Sequence, residues 1–317
     1  MTADSDNDRD EALSGHVPVL TEPLLEWIQL PTDGILVDAT VGHGGHSLLI
    51  GQQLGPEGNL LGLDVDQNSI QRAQSILSDL PCRVTLVREN FKKVDAVLAQ
   101  QGMGQVDAIL ADLGFCSAQL EDADLGLSFQ KPMPLDMRLD KRLTMTAADV
   151  VNKLSQTELA DLIYKYGEDR ASRRIARFII EQRSKKKITT TTELALLICR
   201  ALKQPSRPGR IHPATRTFQA LRIAVNRELD CLERLLQTGP ALLKPGGIIA
   251  IISFHSLEDR LVKNSFRQNK SDGLYEILTK KPITADRDEI RQNPRSRSAK
   301  LRIARRITGK VENKRSC

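Results

Sequence analysis

Two short apolar runs that each stop at an aspartate constrain this chain more than any other feature. Ile35-Leu36-Val37 ends at Asp38 and opens into the loop Ala39-Thr40-Val41-Gly42-His43-Gly44-Gly45-His46. Leu60-Leu61-Gly62-Leu63 ends at Asp64. Apolar runs without alternation are strands buried on both faces. Two more follow, Arg83 to Val87 and Val106 to Ala111, the last of them ending at Asp112. The stretch from Asn68 to Leu80 reads as a helix with Asn68 as its cap. Strands that alternate with helices predict a parallel sheet covered on both sides, hence an α/β fold.

That rhythm stops at Phe115. Ser155-Gln156-Thr157-Glu158 and Thr190-Thr191-Thr192-Glu193 fit capping boxes ahead of apolar-periodic runs. Gly167 separates two helices, and Arg173 to Arg183 carries a cationic face. Residues 115–213 therefore read as an inserted small, mainly helical domain of two or three helices with no strand. Phe218, Leu221, Val225, Leu229, Leu232 and Leu236 then fall at three- and four-residue spacing. That predicts one helix from Thr217 to Leu236 whose apolar stripe packs on the sheet. Pro245-Gly246-Gly247 turns into a fifth strand, Ile248 to Ser253, and Leu274 to Thr279 and Lys300 to Arg306 read as a strand pair. The sheet thus resumes, so 15–114 and 214–308 form one domain. Residues 1–14, rich in Asp and with little to bury, read as a disordered acidic tail. Residues 309–317 read as a basic tail.

The loop after the first strand is suited to a ligand, because glycines let the backbone turn tightly and approach closely. Asp38-x-Thr40-x-Gly42-x-Gly44 resembles the first motif of Rossmann-like methyltransferases, with Thr40 where the first glycine usually stands. The dinucleotide fingerprint G-x-G-x-x-G fits less well, since Ser47 takes its last position. A purely structural turn is the competing reading. Asp64 follows about twenty residues later, where a carboxylate can accept hydrogen bonds from both ribose hydroxyls. The alternative for it, a turn or cap residue, suits Asp66 better. Phe91 follows the third strand and either packs on adenine or joins the core. Asp112 ends the fourth strand at the carboxyl edge, where open α/β sheets bind ligands.

Composition narrows the class. With 40% hydrophobic and 27% charged residues, the chain is of ordinary globular type. No apolar run approaches the roughly 20 residues that cross a bilayer. The acidic N-terminus lacks the apolar core of a secretory signal, so a cytoplasmic protein without membrane association is expected. Cys82, Cys116, Cys199, Cys231 and Cys317 include no C-x-x-C pair, which indicates neither a disulfide framework nor a zinc site. No metal is expected, and nothing in the pattern selects an oligomeric state. The net charge of +6 is uneven: from Arg291 onward ten Lys or Arg stand against one acid, Glu312. Clustered cations neutralise phosphates; a solvated tail is the other reading.

Further motifs sharpen the picture. They are His16-Val17-Pro18-Val19-Leu20, Gly42-His43-Gly44-Gly45-His46-Ser47, Ala111-Asp112-Leu113-Gly114, Pro134-Leu135-Asp136-Met137-Arg138 and Tyr166-Gly167-Glu168-Asp169-Arg170. Later come His212-Pro213-Ala214-Thr215-Arg216-Thr217-Phe218-Gln219-Ala220-Leu221-Arg222, Ser253-Phe254-His255-Ser256-Leu257-Glu258-Asp259-Arg260 and Asn293-Pro294-Arg295-Ser296-Arg297-Ser298. From about His16 to Arg306 the chain closely resembles the bacterial 16S ribosomal RNA cytosine-N4 methyltransferase (RsmH/MraW) family. The resemblance implies a Rossmann-like class I methyltransferase sheet, S-adenosylmethionine as methyl donor, and a decoding-region cytidine of 16S rRNA in the small ribosomal subunit as acceptor. By motif match it implies Gly44, Gly45, His46, Asp64, Phe91, Asp112 and Gln119 as cofactor-binding residues. Phe115, Cys116 and Ala118 depart from the family's Gly-Val-Ser-Ser-Pro-Gln, and Leu125 and Leu127 from its Arg-Gly-Phe-Ser-Phe.

A cytosine amino group is a poor nucleophile because its lone pair is delocalised, so an acceptor on an N4 proton would help. Asp112-Leu113-Gly114-Phe115 lacks the prolines of the Asp/Asn-Pro-Pro-Tyr/Phe motif found in many amino-methyltransferases. Asp112 is the candidate catalytic residue, with no general base assigned. Ser253 to Arg260 leads into a helix in which Ser256 caps and Glu258 and Asp259 suit the first turn; alternatively His255 lines the target pocket. Arg207, Arg210, Arg216 and Arg222, with Arg295, Arg297 and Lys300, are the RNA-binding candidates, against salt bridges back to the acidic remainder. With 3% aromatic residues, recognition through shape and backbone is expected, with one cytidine turned into the pocket. A DNA amino-methyltransferase, a non-catalytic RNA-binding assembly factor and an NAD-dependent enzyme are the competing functions.

Overall fold

The computed structural model describes residues 18–115, 119–120, 122–207 and 209–307. The expected tails, 1–14 and 309–317, lie outside the described residues, as do His16, Val17, Cys116, Ser117 and Ala118. The chain divides into two compact units, Met1–Gly114 with Leu229–Cys317, and Phe115–Glu228.

In chain order the first unit contains α1 (Thr21–Trp27), β1 (Ile35–Asp38), α2 (Gly45–Gly51), β2 (Asn59–Asp64), α3 (Gln67–Ile76), β3 (Arg83–Arg88), α4 (Val94–Gln100) and β4 (Val106–Asp112). The second unit holds α5 (Ala147–Lys153), α6 (Gln156–Gly167), α7 (Ser172–Arg183), α8 (Thr191–Leu202) and α9 (Thr215–Asn226). Then come α10 (Glu228–Leu242), β5 (Leu243–Ser253), α11 (Ser256–Ser271), β6 (Tyr275–Ile277), α12 (Arg287–Gln292) and β7 (Lys300–Arg306).

The seven strands form one sheet in the order β3-β2-β1-β4-β5-β7-β6. The first five run parallel, and β7 is antiparallel to both β5 and β6. This is the Rossmann-like class I methyltransferase sheet that the resemblance implied. Apolar residues occupy both faces of each central strand. Leu36, Leu60, Leu110, Ala250 and Leu301 pack in one layer, while Val37, Leu61, Ile109, Ile249 and Ala304 pack in the other. Burying a Leu or Ile stabilises by about 1.5–3 kcal/mol. The continuous apolar runs of the sequence are thus the signature of a central layer rather than of a half-exposed sheet.

Several boundaries differ from the sequence expectation. The helix expected from Asn68 to Leu80 is α3, and its cap is Asp66, whose side chain accepts from the Asn68 amide. Pro245-Gly246-Gly247 is no separate turn. It lies within β5, where the register against β4 shifts between Leu243 and Ile248. The strand expected from Leu274 to Thr279 contracts to Tyr275–Ile277. The single helix expected from Thr217 to Leu236 is broken: Arg227 takes a left-handed conformation (φ 53°) and ends α9. Phe218, Leu221 and Val225 join the core of the second unit, while Leu232 and Leu236 pack on the sheet. The division between units accordingly falls after Glu228, not after residue 213. A shared period hid the break, since two consecutive helices with one spacing look like one.

Ser155 with Glu158 and Thr190 with Glu193 form the two expected reciprocal capping boxes, and Thr146 with Asp149 forms a third. Leu159, Ile163, Ile175, Ile179, Leu194 and Ile198 fill the core between these helices. Among the described residues, no helix is long and apolar enough to cross a membrane.

The helix break makes a prediction. Leu232 is buried against the sheet whereas Leu229 is half-buried. Leu232→Ala should lower the free energy of unfolding by about 2–5 kcal/mol, and Leu229→Ala by much less. Urea denaturation of both variants checks this; equal losses would restore the uninterrupted stripe.

Candidate functional site

The loop after β1 is tied to both neighbouring strands. The Ala39 amide donates to the Leu110 carbonyl on the β4 side and the Val41 amide to the Leu63 carbonyl on the β2 side, each at 2.8 Å. Asp38 is buried beneath the loop, accepting from Ser47 Oγ at 2.6 Å and from the Thr40 amide at 3.1 Å. Burial raises its pKa, while the bond from Ser47 pulls the other way. Thr40, which stands where a glycine is usual, has its own task. Its hydroxyl accepts the Asp112 backbone amide at 2.6 Å, pinning the end of β4 to the loop.

Gly44 has a φ of 90°, a left-handed conformation that a side chain disfavours. A Cβ on Gly45 would stand 2.6 Å from the Pro18 ring. The segment at Pro18 and Val19 therefore buttresses the glycine loop. The His-Val-Pro-Val-Leu motif signalled something specific there, without revealing what.

Asp64 ends β2 half-buried and accepts two backbone amides, Gly42 at 3.0 Å and Asp66 at 2.8 Å. Burial pushes its pKa up to about 7 in spite of those bonds. A carboxylate offers about four lone-pair sites, so further acceptor capacity remains on the loop side. Phe91 begins a 3-10 turn, Phe91–Lys93, capped by Asn90, and is partly buried against the sheet core.

His46 and Asp112 meet in the same place. His46 Nε2 lies 2.8 Å from the Val19 carbonyl, and Nδ1 lies 3.5 Å from Asp112 Oδ2. A carbonyl only accepts, so Nε2 carries the hydrogen and Nδ1 presents its lone pair to the carboxyl. One proton between them relieves that opposition. Burial lowers the His46 pKa, and burial together with the charge of Glu258 pushes Asp112 up to about 7. Both shifts favour the uncharged pair, in which Asp112 carries the proton below about pH 7. Its other oxygen, Oδ1, is buried and has no hydrogen-bond partner among the described residues. A buried acceptor without a donor is costly, and a ligand's N–H or O–H would relieve it.

His255, not Ser256, caps α11. Its Nδ1 accepts the Glu258 amide at 3.4 Å, and Glu258 reciprocates to the His255 amide at 3.3 Å. Glu258 also takes the Phe254 amide at 2.9 Å. The Ser253–Arg260 motif is therefore a capping device, and the capping part of His255 was missed because histidine is not among the favoured caps. Gln119 belongs to the second unit, where it is buried.

The cationic candidates separate into two kinds. In the second unit Arg207, Arg210 and Arg216 are exposed, with Arg216 Nη1 donating to the Glu168 carbonyl at 3.5 Å. Arg222 instead forms a two-point pair with Glu228, at 2.9 and 3.0 Å, and its guanidinium lies 4.8 Å from the Phe115 ring centre. That pair neutralises it within the unit, as the competing salt-bridge reading expects. In the first unit Arg295 and Arg297 are exposed on the 3-10 turn Pro294–Ser298. Lys300 leans towards Asp259 at 3.7 Å, beside an Arg302–Asp259 pair at 2.6 Å that the sequence did not suggest. Salt bridging back to acids, the competing reading, holds for these two positions.

The profile of the MraW methylase family matches residues 13–307. The chain belongs to the MraW methylase family. Among its relatives, ribosomal RNA small subunit methyltransferase H of Persephonella marina is 48% identical over 292 residues, covering 92% of this chain and 99% of the relative. The protein of that name from a Cyanothece species is 49% identical over 299 residues, covering 92% and 95%. A solved rRNA-methylase structure from Clostridium thermocellum superposes with a TM-score of 0.46 at 13% identity, covering 92% of this chain and 100% of that one. Within the family's glycine motif, this chain turns Gly44 and Gly45 to the close approaches just described.

The Asp112 proton gives a stability test. A carboxyl whose pKa rises from 3.8 to about 7 on folding contributes stability at low pH, and that contribution is lost as pH rises from about 4 to about 8. Subtracting the unfolding free energy of Asp112→Asn from that of the unaltered protein isolates it. The difference should fall by on the order of 4 kcal/mol over that interval. A difference independent of pH would remove the shared proton.

Proposed function

We propose that this chain is an S-adenosylmethionine-dependent methyltransferase acting on the N4 amino group of a decoding-region cytidine in 16S rRNA. The observation that carries the reading is the partnerless Asp112 Oδ1, buried at the carboxyl edge of the sheet beside the glycine loop. The names of its relatives and the sequence resemblance supply the substrate. The bound donor supplies an electrophilic methyl group.

The chain's own residues do the rest. Asp64 accepts the two ribose hydroxyls with the lone pairs left over from Gly42 and Asp66. The left-handed turn at Gly44 lets the main chain approach the donor, and the bare Cα of Gly45 makes room for the Pro18 ring that buttresses that turn. Phe91 offers a ring face beside β3 for the adenine, and Gln119 is the remaining cofactor residue that the family resemblance implies. Asp112 faces the reacting centre and accepts either the ammonium of the donor or an N4 proton. When a cation arrives there, the proton of Asp112 passes to Nδ1 of His46, whose ring is fixed by Val19 and then donates to the carboxylate. Positioning and exclusion of water carry much of the rate, since the methyl group must be approached in line. Arg207, Arg210, Arg216, Arg295 and Arg297 supply phosphate contacts. Cytoplasmic action on the small subunit follows from this substrate.

Mass mapping of 16S rRNA from cells with and without the protein tests the reading directly. One cytidine should lose its methyl group in the deletion; an unchanged map overturns the assignment. Titration calorimetry should show Asp64→Ala binding the donor about 10- to 100-fold more weakly, since each hydrogen bond to a charge is worth about 1.5–3 kcal/mol. Asp112→Asn should turn over slowly with saturating donor, and near-normal turnover would take Asp112 out of the reaction.

A further inference from the structure

We propose that the outer face of α7, with the lysine turn after it, is a phosphate-gripping surface for the folded small-subunit RNA. This rests on the methyltransferase reading above. Arg170, Arg173 and Arg177 are exposed, and Arg174 is half-buried beside them, at three- and four-residue spacing on one side of the helix start. The opposite side is fixed inward, because Ile175, Ala176 and Ile179 are fully buried. The direction of the cations is therefore set by the core of the unit. Lys185 and Lys187 stand exposed beyond the helix end. The helix spans roughly 18 Å, so the cations make an extended surface rather than a point.

This arrangement breaks local rules. The N-terminal turn of a helix favours acids, and cations belong at its C-terminus. Here the first turn of α7 has no acid and begins Ser172-Arg173-Arg174. The preceding Asp169 is turned inward, accepting the Ala171 amide at 2.9 Å. Like charges three and four residues apart repel, as do Arg170 with Arg173 and Arg174, and Arg177 with Arg173 and Arg174. Among the described residues, Arg177 alone of these four finds an acid, Glu181 at 3.7 Å, and both partners of that pair are more than half exposed. Among the described residues, Lys185 and Lys187 have no acid within ion-pair distance, whereas Lys186 between them pairs with Glu193 at 3.3 Å. Ordinary solvated helices mix signs. A run of four arginines at the wrong end of the dipole, answered among the described residues only by Glu181 at Arg177, is a local violation of the kind that functional sites carry, and a polyanion is the partner that relieves it.

The test compares the unaltered full-length protein with R170Q/R173Q/R174Q/R177Q and with the same four positions changed to Lys. Each is titrated against a 16S rRNA transcript and against intact small subunits over about 50–200 mM salt. The Gln variant should bind both at least tenfold more weakly at low salt, with the slope of log affinity against log salt shallower by about 2–3. The Lys variant should keep the slope. The Gln variant should also melt at the same or a higher temperature, because its helix is relieved of repulsion, and its titration with S-adenosylmethionine should be unchanged. An unaltered slope overturns the proposal. So does a lower melting temperature with lost helicity, which would make the cations structural. Weakened binding to intact subunits alone would assign the surface to an acidic protein, again overturning it. If instead the unaltered protein transfers no methyl group to small-subunit RNA, the function falls, while the salt slopes still decide the surface.

Discussion

One loop fastens the ends of three adjacent parallel strands, and the site exists because of it. The amides of Ala39 and Val41 reach carbonyls of β4 and β2, the Gly42 amide reaches Asp64, and the Thr40 hydroxyl takes the amide of Asp112. These bonds are short-range and lie at the rim of a close-packed sheet, so an error in any one strand's length displaces the carboxylates relative to each other. Ser47 and Asp38 anchor the loop from beneath, which is why a serine there serves better than the glycine of a dinucleotide fingerprint. The loop is a structural turn and also the proposed ligand cradle. The two readings that the sequence set against each other are one object.

Much of this fold was legible because the central layer leaves a one-dimensional trace. Strands buried on both faces must be apolar throughout, and each of the first four was placed to within a residue or so of its observed ends. Capping boxes were legible for the same reason: the bond runs between residues three apart in sequence. What could not be read depends on contacts between distant residues. The break at Arg227 needs a backbone conformation that the side-chain pattern does not encode. His255 as a cap, and Arg222 and Lys300 as partners of Glu228 and Asp259, need a third dimension. The proposed cofactor residues came from motif resemblance, and the part played by Thr40 and Val19 in holding them was not legible there. One acts through its side chain on a distant amide, and the other through a carbonyl common to every residue.

Asp38, Asp64 and Asp112 end three neighbouring strands, and burial raises the pKa of each. They differ in what satisfies them. Asp38 is answered by Ser47 and Thr40 and has a structural task. Asp64 is answered on one side by amides. Asp112 is left with a neutral histidine and a partnerless oxygen. The gradient runs from the foundation of the loop to the place where chemistry is proposed. An enclosed carboxyl that is not satisfied internally holds its proton until a donor or a cation replaces it. A ligand bringing both hydroxyls and an ammonium would satisfy Asp64 and Asp112 together. Its binding free energy then adds directly to the stability of the folded state. The rim of this sheet is therefore less than optimally stable by itself, and the proposed ligand would supply the donor that Asp112 Oδ1 lacks.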